Sequence, residues 1–133
     1  MSKKITGKCH CGSVAWEADL PPKIVLICHC NMCRELSGSD YSTWVVMKSE
    51  DFTLLKGVEL LNTYQATDKF SKSFCSQCGS TVRCVNNDKF PDHIYVARGN
   101  IISDIELNAN VQVYTADKAD WVALDEAIPV YNP

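Results

Sequence analysis

Residues 7–16 read Gly7-Lys8-Cys9-His10-Cys11-Gly12-Ser13-Val14-Ala15-Trp16, and residues 74–80 read Phe74-Cys75-Ser76-Gln77-Cys78-Gly79-Ser80. Each stretch is a cysteine pair closed by a glycine. In a regular strand, residues two apart share a face but lie roughly 6–7 Å from one another, too far for both to chelate one ion. The Cys9-x-Cys11 segment must therefore turn, and Gly12 and Gly79 can take the positive φ that such turns require. Two knuckles brought together make a closed four-cysteine site, the structural type of zinc centre. Formed by Cys9, Cys11, Cys75 and Cys78, it ties an N-terminal strand to the middle of the chain. The competing reading is four unrelated buried thiols.

Outward from the knuckles the chain reads as short strands separated by turn residues. Candidate strands are 13–18, 23–28, 41–48, 52–55, 60–65, 70–74, 81–85, 93–98 and 110–115. Breaks fall at Pro21-Pro22, Gly57, Asn86-Asn87-Asp88 and Gly99-Asn100. In 41–48, Tyr41, Val45 and Met47 alternate with Trp44 and Val46, so this strand is expected to be covered on both faces. Helical periodicity is weak, and 31–37 and 117–123 each have room for one or two turns. The pattern predicts a mainly β, predominantly antiparallel fold in a single domain over 1–133.

Composition narrows the class. The 133 residues are 46% hydrophobic and 22% charged, enough apolar matter for a core and too much for a disordered chain. Residues 101–133 hold six acids (Asp104, Glu106, Asp117, Asp120, Asp125, Glu126) against one base, Lys118, and are expected to be solvated surface. With a net charge of −3 and no basic face in the pattern, nucleic acid is not an expected partner. No run of about 18 apolar residues exists to span a membrane. The opening Met1-Ser2-Lys3-Lys4-Ile5-Thr6-Gly7 lacks the apolar stretch of a secretory signal. The expected location is the cytoplasm, where eight cysteines read as metal ligands or reactive groups rather than as disulfides.

A third cluster is Cys28-His29-Cys30-Asn31-Met32-Cys33-Arg34. Three thiolates within six residues can reach one metal, and three ligands with an exchangeable fourth position is the layout of a catalytic zinc. Three thiolates on a divalent ion carry a net negative charge, which a cation such as Arg34 favours. The alternative is a second closed site in which His29 or Cys84 is the fourth ligand. Cys84, alone on the apolar stretch 81–85, otherwise reads as core filling, with a redox nucleophile the sharper alternative. Trp16, Tyr41, Trp44 and Trp121 are candidates to line a pocket, with the core of the β domain the preferred place for them. Lys69 and Lys72 are available to meet a carboxylate.

The three cysteine clusters together resemble the glutathione-dependent formaldehyde-activating family, which includes the centromere protein V domain. The likeness is carried by Gly7-x-Cys9-x-Cys11-Gly12-x-Val14-x-Trp16, by Cys28-His29-Cys30-x-x-Cys33-Arg34, and by Phe74-Cys75-x-x-Cys78-Gly79-Ser80. It continues more loosely through 93–99 and Lys118-Ala119-x-Trp121-Val122 to Pro129-x-Tyr131. The resemblance implies a β-tent fold of small antiparallel sheets with zinc knuckles and few helical turns. It implies a structural Zn²⁺ on Cys9, Cys11, Cys75 and Cys78, and a second, incompletely occupied Zn²⁺ on Cys28, Cys30 and Cys33, the residues expected to be catalytic through that metal. It further implies a zinc-dependent carbon–sulfur lyase acting on a thiol adduct such as S-hydroxymethylglutathione, formed from glutathione and an aldehyde. The alternative is a non-catalytic zinc module that binds a small thiol such as glutathione or a protein partner. A superficial likeness of Arg83-Cys84-Val85-Asn86 to the nucleophile segment of B-type methionine sulfoxide reductases leaves the Cys28 cluster unexplained.

Overall fold

The computed structural model describes residues 3–132; Met1, Ser2 and Pro133, the ends of the expected domain, lie outside the described residues. Eleven strands and one α-helix follow in order: β1 Lys4–Lys8, β2 Ala15–Asp19, β3 Ile24–Cys28, α1 Asn31–Ser37, β4 Ser42–Lys48 and β5 Phe52–Lys56. Then come β6 Leu61–Gln65, β7 Phe70–Cys75, β8 Thr81–Asn86, β9 His93–Ala97, β10 Val111–Val113 and β11 Val130–Tyr131. The class is mainly β, as expected. No helix among the described residues is long and apolar enough to cross a membrane.

Two sheets form. The smaller has the order β1-β2-β5 and the larger the order β11-β10-β3-β4-β9-β8-β7-β6. Pairing is antiparallel except that β10 runs parallel to both β3 and β11. The parallel pairs arise because the chain leaves β9 through a long extended segment and re-enters beside β3. That segment is irregular in backbone but regular in burial, with Ile105, Leu107 and Ala109 packed on the core and their neighbours outward.

The apolar core divides into two clusters on opposite faces of the larger sheet. Between the sheets lie Ile5, Trp16, Ala18, Val25, Val45, Met47, Val82 and Val96, all at most 3% exposed. On the far face lie Leu26, Cys28, Trp44, Val46, Phe70 and Tyr95. β4 supplies both, with Val45 and Met47 to one and Trp44 and Val46 to the other, so its two-sided apolar pattern is the signature of a central strand. This far face carries the second cysteine cluster.

Three expectations differ from the structure. Residues 117–123 form no α-helix; a short 3₁₀ turn spans Thr115–Asp117 instead, entered through Tyr114 at φ 55°. Without an apolar stripe at helical spacing, that segment gains nothing by continuing the helix. Tyr41 and Trp121 are 40% and 71% exposed rather than core residues, whereas Trp16 and Trp44 are buried. Finally, β1 and β11 add strands that the sequence pattern did not single out.

Candidate metal centres

The first centre joins the two sheets. Cys9 and Cys11 lie on the turn between β1 and β2; Cys75 ends β7 and Cys78 lies on the turn from β7 to β8. Both turns are built alike. The Cys9 N–H donates to the Val14 carbonyl and the Gly12 N–H to the Cys9 carbonyl; the Cys75 N–H donates to the Ser80 carbonyl and the Gly79 N–H to the Cys75 carbonyl. Gly12 and Gly79 both stand at φ 79°, the left-handed region an L-residue with a side chain resists. Cross-links hold the two turns together. The His10 N–H donates to the Ser80 hydroxyl at 3.0 Å, and the Ser13 hydroxyl to Gln77 Oε1 at 3.0 Å.

All four sulfurs lie within 4.8 Å of one another. Cys9 and Cys11 Sγ are 3.6 Å apart, and Cys11 and Cys75 Sγ 3.8 Å. A tetrahedral zinc with bonds near 2.3 Å sets its sulfurs about 3.8 Å apart, so the donor set and spacing fit that ion. The Val14 N–H also donates to Cys9 Sγ at 3.3 Å, a contact suited to a thiolate. The Ser80 hydroxyl holds Cys78 down to about 5, while burial pushes Cys75 up to about 11. Near neutral pH, Cys75 and Cys78, so opposed in proton affinity, are both thiolates only when a cation sits beside them.

The second centre lies at the start of α1. Cys28 ends β3, Cys30 caps the helix and Cys33 follows in its first turn, with the Cys33 N–H donating to Cys30 Sγ at 3.2 Å. These three sulfurs also fall within 4.8 Å of one another, and among the described residues no other histidine, cysteine, aspartate or glutamate joins them. The local spacing works because a strand end, a cap and a first helical turn bend the chain around one point. Cys30 is held low by hydrogen bonds from the Cys28 and Cys33 thiols, and those two are pushed up by the same contacts. Uncompensated, the trio therefore holds one negative charge; full ionisation requires a cation.

His29 and Cys84 do not complete this site. The His29 side chain is 1% exposed with its ring 5.2 Å from that of Tyr41, and both ring nitrogens lack a hydrogen-bond partner among the described residues. Burial lowers the imidazole's proton affinity below its ordinary value. Cys84 is 2% exposed in the far-face core, and burial pushes its thiol up to about 12, the opposite of a reactive nucleophile. Arg34 stands beside the cluster but is engaged elsewhere, donating to the Asp117 carbonyl at 2.9 Å and lying 5.8 Å from the Trp121 ring. Lys72 donates to the Leu36 carbonyl at 2.7 Å and so caps α1 instead of facing a ligand.

A cavity of about 830 Å³ opens directly onto Cys28, Cys30 and Cys33. Trp44, Tyr95, Phe70, Phe90 and Val113 form much of its wall. None of these was singled out as a site residue except Trp44, because a β-strand aromatic carries no sequence mark that distinguishes cavity wall from core. Gln112 was missed as well. It is 2% exposed, and its Nε2 donates to the Asp125 and Ile128 carbonyls, which clamps the C-terminal segment beside β10.

Fold and sites together define a small β protein built on two cysteine centres that can hold metal ions, one closed and one bordering a cavity. The model of the glutathione-dependent formaldehyde-activating enzyme family matches residues 4–117, and the chain belongs to that family. A crystal structure of a Rhodobacter sphaeroides protein is similar, with 23% identity, a TM-score of 0.64, and coverage of 76% of this chain and 90% of that one. It shows the same fold.

Proposed function

We propose that the chain is one domain over 1–133 acting as a zinc-dependent carbon–sulfur lyase on a thiol–aldehyde adduct of the S-hydroxymethylglutathione type. The observation that carries this reading is the trio of Cys28, Cys30 and Cys33, which no fourth side chain among the described residues completes and which a ligand-sized cavity adjoins. Cys9, Cys11, Cys75 and Cys78 would hold a structural zinc, and the trio a second one. Bound there, the second ion supplies Lewis-acid chemistry that lowers the pKa of a coordinated thiol.

The chain's own residues position and shield the adduct. In the lyase direction the carbon–sulfur bond of R–CH(OH)–S–R′ breaks with its electron pair going to sulfur. The hydroxyl proton departs as the carbonyl forms, and it ends on the thiol product or on water. In the reverse, adduct-forming direction Tyr95, buried on the cavity wall, offers a phenol that burial keeps protonated and able to donate to the aldehyde's oxygen. The apolar walls exclude bulk water from the reacting carbon. Thiolate ligands of this kind persist in a reducing compartment, which suits the cytoplasm.

The test measures zinc content and adduct exchange together. Wild type is expected to carry two zinc ions per chain and to accelerate exchange between glutathione and aldehyde in NMR. Cys30→Ser is expected to lose one zinc and the acceleration. Activity that survives Cys30→Ser overturns the role of the trio. One observation favours a second reading, a non-catalytic thiol-binding module: among the described residues Asp117 is the single carboxylate on the cavity wall, and no histidine lies there. That reading is expected to show glutathione-dependent thermal stabilisation without exchange.

A further inference from the structure

The cavity wall is the wrong chemistry for formaldehyde alone. At about 830 Å³ it falls among sites that enclose ligands of drug size, roughly 300–1,000 Å³. Formaldehyde adds a single carbon bearing hydrogens to the thiol and needs no pocket beyond the sulfur. The walls are set instead for an apolar group. Leu26 lies two residues before Cys28 on the same face of β3, Trp44 pairs with Leu26 across the sheet, and Val113 pairs with Cys28 itself. Apolar surface therefore begins immediately beside the cysteines, where the carbon attached to the reacting sulfur must sit, and continues through Phe70 and Phe90.

Charge is distributed the opposite way. Of the described lining residues, Lys89 and Asp117 alone carry a formal charge besides the thiols, and Lys89 is exposed. Lys23, also exposed, holds its ammonium 5.5 Å from the centre of the Phe90 ring. Lys89 thus lines the cavity at an exposed position, and Lys23, outside the lining, stands over the Phe90 ring. There they suit the carboxylates of a glutathione-like thiol, whose charged groups the inner walls would strand without partners.

Building on the lyase reading above, we propose that the substrate is a thiol adduct of an apolar aldehyde. An aromatic ring or a medium-length alkyl chain on the carbonyl carbon packs against Leu26, Trp44, Val113, Phe70 and Phe90, and the thiol's carboxylates lie outward near Lys23 and Lys89. The bond changes are those already given, with R an apolar group instead of hydrogen, so no oxidant or reductant enters.

Unreactive thioethers test the pocket apart from catalysis. S-methyl-, S-propyl- and S-hexylglutathione are titrated into the zinc-loaded protein by calorimetry. Affinity is expected to rise roughly threefold to fourfold per added methylene that the walls cover. Phe90→Ala, at a half-buried turn position, is expected to flatten that rise. Affinity that is flat across the series in wild type, or absent for every member, overturns the inference whether or not the variant folds. Exchange rates with formaldehyde, hexanal and phenylacetaldehyde are measured in parallel. Exchange with formaldehyde alone and a flat thioether series leave the lyase reading standing and overturn the apolar class. A rising thioether series without exchange of any aldehyde supports an apolar ligand and overturns the lyase reading.

Discussion

Cys84 shows how burial decides what a cysteine does. It shares its sulfur chemistry with seven others, yet it lies outside both metal-type groups and inside the far-face core. Its thiol stays protonated in the fold to about 12 against an ordinary 9.0. Above about pH 9 the unfolded chain therefore sheds a proton that the folded chain keeps, so stability falls as pH rises, by about 1.4 kcal/mol per unit, until the folded thiol also ionises. Cys84→Ala removes that dependence. Between pH 7 and pH 10, urea unfolding is expected to show wild type losing about 1.4 kcal/mol more than the variant. Equal losses would place the alkaline sensitivity elsewhere. The sequence placed Cys84 in the core by its apolar neighbours, and that reading holds. What it could not show is the distance from Cys84 to the trio, because β8 and α1 meet only after folding.

At the scale of elements, β10 is the joint between the sheet and everything after it. Three residues long, it lies parallel between β3 and β11, and its central Gln112 holds the carbonyls of Asp125 and Ile128. Gln112→Ala strands those carbonyls, at a cost of about 1–3 kcal/mol. Limited proteolysis with trypsin is expected to cut after Lys118 at least several-fold faster in the variant, and an unchanged rate would show that the bond from Arg34 to the Asp117 carbonyl suffices to anchor the segment. The strands β2 to β10 were legible because each alternates or runs apolar between turn residues. β11 was not, since two exposed residues carry no period. β1 had a signal, Ile5 between Lys4 and Thr6, that is too short to stand out without its partner β2.

For the molecule as a whole, the two centres differ in what they connect. Cys9 and Cys75 are 1% and 0% exposed at the junction of the sheets, and their site closes a loop of more than sixty residues. Cys28, Cys30 and Cys33 lie within six residues of one another. A crosslink between distant segments restricts the unfolded chain far more than a local one. Cys75→Ser is therefore expected to lower the melting temperature by about 10 °C or more, the equivalent of a few kcal/mol, or to prevent folding. Cys30→Ser, although it loses metal from the trio, is expected to move it by less than about 4 °C. Scanning calorimetry of both variants checks the contrast, and comparable losses would mean that the trio is a structural site too. Prolonged treatment of wild type with a strong chelator is expected to reproduce the larger loss, because the ion and the fold are linked at the first centre.

The sequence by itself determined the β class, the turns at Gly12 and Gly79, the division of seven cysteines into four and three, and the family. These are local properties: spacing, backbone freedom and alternation are written in adjacent residues. Only the tertiary structure decided that His29 and Cys84 stand apart from the trio, that Tyr41 and Trp121 face outward, and that a large apolar cavity adjoins Cys28. Those depend on which faces of β3, β4, β9 and β10 meet. A strand presents an apolar residue identically to a packed core and to an open pocket until its neighbours are in place.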